Sequence, residues 1–276
     1  LGMFYIFYFF VDKQEMETVN IHFLSTLPFI LIGVGIWFAV AWAGNTALIR
    51  MATGAKPLER KENMRVYNLV ENLCIQLGMA TPAIYIIEDD SLNAFASGIN
   101  AKTYSVTLSR GIIDKLDDEE LEGVIGHELT HIRNRDTRLL IISIIFVGIF
   151  AFLANMAFRS IRFSSGRKKD GGYIVLIALA VTAVCYFISI FLRFGISRSR
   201  EYLADAGSAE MTKKPYALAN ALRKIDGDPL IEAVTRSDVA QLFIENPQTE
   251  KKSFFTGLFS THPPIKKRIE LLDQFV

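Results

Sequence analysis

Three long stretches without a charged side chain, Phe23 to Ile49, Leu139 to Phe158 and Gly171 to Leu192, constrain this chain more than any other feature. A helix of about 20 residues crosses the hydrocarbon core of a bilayer, so each run is long enough. Three such runs in 276 residues point to an integral membrane protein rather than to buried core helices. Composition agrees, since 51% of the residues are hydrophobic and the mean hydropathy is +0.28, high for an ordinary soluble domain. A net charge of +1, without a basic helix or an aromatic-basic cluster, argues against a nucleic-acid partner. The opening LGMFYIFYFF is shorter than a span and lacks the basic start and small-residue cleavage site of a signal peptide. It reads as the remnant of another span.

Orientation follows from lysine and arginine near the ends of the runs. The segment VDKQEMETVN before the first long run holds one lysine. After that run come Arg50, Lys56, Arg60, Lys61 and Arg65, which favours a cytoplasmic polar domain. The loop between the other two runs disagrees, with Arg159, Arg162, Arg167, Lys168 and Lys169 on what should be the far side. Residues 139–194 are therefore expected to form a hairpin that crosses twice or enters the bilayer and turns back. The chain divides into an N-terminal membrane anchor (1–49), a first polar part (50–138), the hydrophobic hairpin (139–194) and a second polar part (195–276). Cys74 and Cys185 lie in different settings and imply neither a disulfide framework nor a cysteine metal site.

In the first polar part, Val66, Leu69, Val70 and Leu73 recur at helical spacing, and Gly78 sits where such a helix would stop. The segments AIYIIED, NAFASGI and YSVTLSR read as short strands, so helices beside a small antiparallel β-sheet are expected. The stretch DKLDDEELEGVIGHELTHIRNRD follows, its acidic residues Asp117 to Glu120 suited to the first turn of a helix. At about 100° per residue, Leu121, Val124, Ile125, Leu129 and Ile132 share an apolar arc that also contains Glu128, with His127 and His131 at its edge.

A carboxylate on a core-facing stripe is costly unless it is paired, near a metal or engaged in chemistry. Histidines four apart on a helix project from the same face, so both rings can reach one zinc ion. A catalytic zinc takes three protein ligands and leaves one position open. His22 precedes a membrane run and His262 lies far downstream, which leaves Glu201 in SRSREYLADAGSA as the better third ligand. Asp205, one turn on, is placed to accept a hydrogen bond from a ligand histidine. Asp136, five residues after His131, either supports a ligand or caps the helix, and no role is assigned to it.

Taken together, HELTH, REYLADAGSA, NAFASG and STHPPIKKRIELL resemble the family of heat-shock membrane metalloproteases of the HtpX type, a zinc metallopeptidase family that also includes the CAAX prenyl endopeptidases. The resemblance runs over nearly the whole chain from about residue 24, hairpin included. It implies an α+β, zincin-like metalloprotease domain combined with transmembrane helices, with one Zn²⁺ per chain held by His127, His131 and Glu201. Glu128 is then the general base, with His262 as a further catalytic residue facing the oxyanion or a nearby carboxylate. Arg268, six positions on from His262, would face the oxyanion or a nearby carboxylate. Asn93, Ala94, Phe95 and Ala96 would hold an extended substrate by its main chain.

The activity implied is hydrolysis of peptide bonds in misfolded or damaged membrane proteins, by an enzyme in a prokaryotic inner membrane with its protease domain facing the cytoplasm. Polypeptides and the lipid bilayer are the implied partners. Two other readings stand beside it. A CAAX-type processing protease would need a larger chamber of membrane helices than three or four short spans build. A non-proteolytic zinc scaffold would usually close its metal with four protein ligands, cysteine among them.

Overall fold

The computed structural model describes residues 16–142, 183, 199–226 and 263–275. Helix α1, Met16–Thr53, runs for 38 residues, about 57 Å at 1.5 Å per residue. It exposes Leu31, Ile32, Ile36, Trp37 and Val40. Among the described residues no helix is long and apolar enough to cross a membrane. Beyond Ile142 the second uncharged run lies outside the described residues, as does the third apart from Ala183. Helix α1 as far as Ala43 belongs to one compact unit, together with Ala183, and Gly44–Ile142 with residues 199–226 and 263–275 belongs to another.

The second unit carries the polar parts of the chain. Its order is β1 (Lys56–Pro57), α2 (Met64–Leu77), β2 (Ala83–Ile87), β3 (Ala94–Ser97), β4 (Ser105–Ser109), α3 (Arg110–Lys115) and α4 (Asp118–Arg133). Helical residues follow over 136–142 (α5) and 199–212 (α6). The last described elements are α7 (Pro215–Ile225) and α8 (Ile265–Asp273). Local signals account for the helix ends. Asn63 accepts from the Val66 amide to begin α2, and Gly78 ends it with a φ of 61°, a left-handed turn that glycine adopts without penalty.

The sheet corrects one expectation, because it is mixed rather than antiparallel. Its strand order is β1-β2-β4-β3. β1 pairs antiparallel with β2, and β3 antiparallel with β4. β2 and β4 run parallel, Ala83 beside Ser105 through Ile87 beside Ser109. β3 doubles back onto β4 and takes the edge, so β4 returns between β3 and β2 in the direction of β2. All five residues of β4 are buried, as suits a strand paired on both sides and covered.

Helix α4 lies against β3 and β4 and also contacts α2 and α7. Its apolar arc, Leu121, Val124, Ile125, Leu129 and Ile132, is fully interior beside Val70, Leu73, Val106, Leu108, Leu218 and Leu222. The polar groups at the edge of that arc are thereby held in the middle of the unit.

Candidate metal centre

Two helices build the site, and each is placed by features that can be traced to single residues. Helix α4 begins with a capping box, in which the Asp117 carboxylate accepts from the Glu120 amide and the Glu120 carboxylate from the Asp117 amide. Three acidic residues occupy its first turn, where the helix dipole favours negative charge. Helix α6 crosses α4 closely. Ser208 Oγ donates to the Gly123 carbonyl at 2.6 Å, and a β-carbon on Gly207 would stand 2.5 Å from Thr130 Cγ2. Small residues at this crossing bring Glu201 to the histidines.

The Nε2 atoms of His127 and His131 are 3.2 Å apart, with the rings nearly perpendicular. Glu201 places Oε1 3.3 Å from His131 Nε2 and Oε2 3.6 Å from His127 Nε2. Ligand atoms 2.0–2.1 Å from a tetrahedral zinc ion are separated by about 3.3 Å. Two imidazoles and one carboxylate with these separations fit such an ion, with a fourth position to spare. His127, Glu128 and Glu201 are buried and His131 nearly so.

Carboxylates behind the rings fix their direction. His127 Nδ1 lies 3.0 Å from Asp205 Oδ1, and His131 Nδ1 lies 3.0 Å from Asp136 Oδ2. Arg268, only 1% exposed, grips Asp205 with two donors, Nε to Oδ2 at 2.9 Å and Nη2 to Oδ1 at 2.7 Å. Its Nη1 stands 3.4 Å from Glu201 Oε2. Of the two places expected for Arg268, it takes the one beside a carboxylate. Asp136 is the contact that sequence reasoning left unassigned. Its separation of five residues from His131 is not a same-face spacing in a continuous helix.

The electrostatics follow from burial and from these pairings. Desolvation pushes the Glu128 carboxyl up, against the lowering effect of the two histidines and a hydrogen bond from the Ala96 backbone. Such a shift suits a general base working near neutral pH. Desolvation would raise Asp205 as well, but Arg268 and His127 outweigh it and hold the carboxyl down to about 2. Burial opposes charging His127 and His131, yet the carboxylates around each ring win and raise both.

Asn93–Ala96 lies at the sheet edge and is buried. The Ser109 amide donates to the Asn93 carbonyl at 3.0 Å, which makes that pair a bonded one. In an antiparallel ladder bonded pairs alternate, so the main-chain groups of Ala94 and Ala96 turn away from β4. The Ala94 amide donates to Asn93 Oδ1 at 2.9 Å. Phe95 packs into a small cluster with Ala55 and Ile87. His262 lies outside the described residues.

A helix-borne pair of histidines around a buried glutamate, joined by a glutamate from a second helix, is the arrangement of a metallopeptidase. The chain belongs to peptidase family M48, which it matches over residues 60–276. It is 61% identical over 271 residues to a protease HtpX homologue of Bacteroides fragilis, covering 95% of this chain and 84% of that one. A protease HtpX homologue of Dictyoglomus thermophilum is 39% identical over 235 residues, covering 84% of this chain and 76% of that one. Among solved structures, the crystal structure of S. mikatae Ste24p aligns over 99% of this chain with a TM-score of 0.55 and 18% identity. The chain spans 62% of that protein's length, and the likeness is one of fold.

Proposed function

We propose that this metallopeptidase is a zinc endopeptidase of a prokaryotic inner membrane, its protease domain on the cytoplasmic side, acting on misfolded or damaged membrane proteins. The observation that carries the reading is the triangle of His127 Nε2, His131 Nε2 and a Glu201 oxygen beside the buried Glu128. These three residues would hold one zinc ion per chain. When bound, zinc acts as a Lewis acid that acidifies water and polarises a carbonyl.

The remaining work falls to the chain's own groups. Glu128 takes a proton from the attacking water and delivers it to the leaving amine, a task matched to a carboxyl raised by burial. Asp205, gripped by Arg268, keeps His127 in one tautomer with Nε2 aimed at the cation site. The side of β3 away from β4 supports capture of an extended peptide by main-chain pairing, because the Ala94 and Ala96 carbonyls lie on that side. Asn93 and Phe95 hold that strand, the one through its hydrogen bond to Ala94 and the other through its packing. His262 is assigned to the developing oxyanion on the resemblance alone.

An edge that reads main chain takes unfolded segments rather than folded ones. The three uncharged runs and the exposed apolar face of α1 support anchoring at a bilayer, which brings membrane proteins within reach.

The test is degradation of unfolded casein by detergent-purified protein. Chelation should abolish cleavage and zinc restore it. Glu128→Gln should lower the rate by roughly 10²–10⁴-fold while zinc uptake is retained. Cleavage by Glu128→Gln at the wild-type rate would refute the mechanism.

A further inference from the structure

His131 is the ligand whose surroundings the sequence does not explain. Helix α4 stops at Arg133, and Arg135 takes a φ of 62°, a left-handed conformation that a side chain makes costly. Helix α5 starts at the next residue. In an unbroken helix Asp136 would stand about 140° round the axis from His131, out of reach of its ring. The break turns the carboxylate back, so that Oδ2 meets His131 Nδ1 at 3.0 Å. The other oxygen, Oδ1, is met at 3.1 Å by Nη1 of Arg200, the residue before Glu201 on α6.

We propose that Asp136 and Arg200 are a positioning pair for the metal, Asp136 fixing the tautomer and direction of His131 and Arg200 holding Asp136 in place. In the sequence Asp136 precedes the hydrophobic hairpin and Arg200 follows it, so the contact ties both ends of that insert to one metal ligand. The arrangement repeats the one behind His127, where Asp205 is held by Arg268. The two differ in burial. The Arg268 side chain is 1% exposed and that of Arg200 is 24% exposed, so the pair behind His131 is the softer of the two. The inference rests on reading His131 as a metal ligand.

The experiment measures zinc affinity by competition with a chromophoric chelator, and the visible spectrum of the Co²⁺-substituted protein, in the full detergent-purified chain. Asp136→Asn should weaken zinc binding roughly ten- to a hundredfold and alter the cobalt spectrum, as loss of a ligand-orienting carboxylate does. Arg200→Met should weaken it by less, and Arg200→Lys should recover part of that loss. The double variant Asp136→Asn/Arg200→Met should bind no more weakly than Asp136→Asn, because Arg200 acts through Asp136. Thermal unfolding of the chelator-treated proteins identifies any variant that has lost its fold. Should Asp136→Asn fail to fold, the Arg200 series decides. Wild-type affinity and spectrum in Asp136→Asn, or in Arg200→Met, would overturn the pair, as would additive losses in the double variant. A wild-type protein that takes up neither metal would overturn instead the assignment of His131 on which the pair rests.

Discussion

Gly207→Ala tests whether the α4–α6 crossing sets the metal geometry. The added methyl would lie 2.5 Å from Thr130 Cγ2, 2.8 Å from Oγ1 and 3.2 Å from Cβ, where ordinary contact begins at 3.4 Å. Thr130 is buried and β-branched, with Oγ1 bonded to the Gly126 carbonyl at 2.8 Å, so it cannot rotate away cheaply. The helices must therefore part by about 1 Å, and overpacking of this kind costs about 1–3 kcal/mol. Alanine's better helix propensity returns up to about 1 kcal/mol. With Thr130 locked in place the clash falls toward the upper end of its range and outweighs that return, leaving a net loss of up to about 2 kcal/mol. At about 2–4 °C per kcal/mol for a domain of this size, thermal unfolding should move down by several degrees.

The same shift reaches the metal. Glu201 lies about 9 Å along α6 from Gly207 at 1.5 Å per residue, and ligand distances tolerate only about ±0.2 Å. Chelator competition should show zinc affinity reduced by at least roughly tenfold, the scale on which loss of ligand support acts. Thr130→Ala removes both close atoms, so the double variant should regain affinity over Gly207→Ala. Unchanged stability and unchanged zinc affinity in Gly207→Ala would refute the claim that this crossing positions Glu201.

Two further outcomes follow from the same geometry. Asp205→Ala leaves the Arg268 guanidinium buried without its bidentate partner. Breaking a buried pair in this way costs about 3–5 kcal/mol, which denaturant titration of the metal-free protein should register. For pH, desolvation works against a charged His131, but Asp136 and Glu201 prevail and push it up to about 10 in the metal-free protein. A metal must displace that proton, so zinc affinity should fall as pH is lowered from about 10, by roughly tenfold per unit for each proton released. The sign reverses for the metal-free fold, where a raised histidine contributes most below its unfolded value near 6.5 and loses that contribution as pH rises through about 10. Isothermal titration in buffers of different protonation enthalpy counts the protons, and uptake with no proton release would contradict this account.

The sequence by itself determined whatever depends on neighbours within a turn or two. The acidic first turn of α4, the glycine stop at Gly78 and the interior arc of α4 were all legible, because they arise from local electrostatics, local backbone conformation and the 3.6-residue period. So was the same-face placement of His127 and His131, and of Glu201 and Asp205. The direction in which strands pair was not legible. AIYIIED and YSVTLSR each announce a strand, but β2 and β4 run parallel only because β3 claims the edge between them in sequence.

Beyond Glu201 and Asp205, tertiary structure alone decided which further side chains meet around the histidines. Arg268 could have faced solvent or cleft, and it is the docking of α8 that aims it at Asp205. Asp136 reaches His131 through a break at Arg135 that no periodicity foretells, and Arg200 reaches Asp136 across the whole hydrophobic insert. Local rules fix the face on which a side chain stands. What it touches depends on helices packed from distant parts of the chain, whose burial turns exposed charges into partners that must be satisfied.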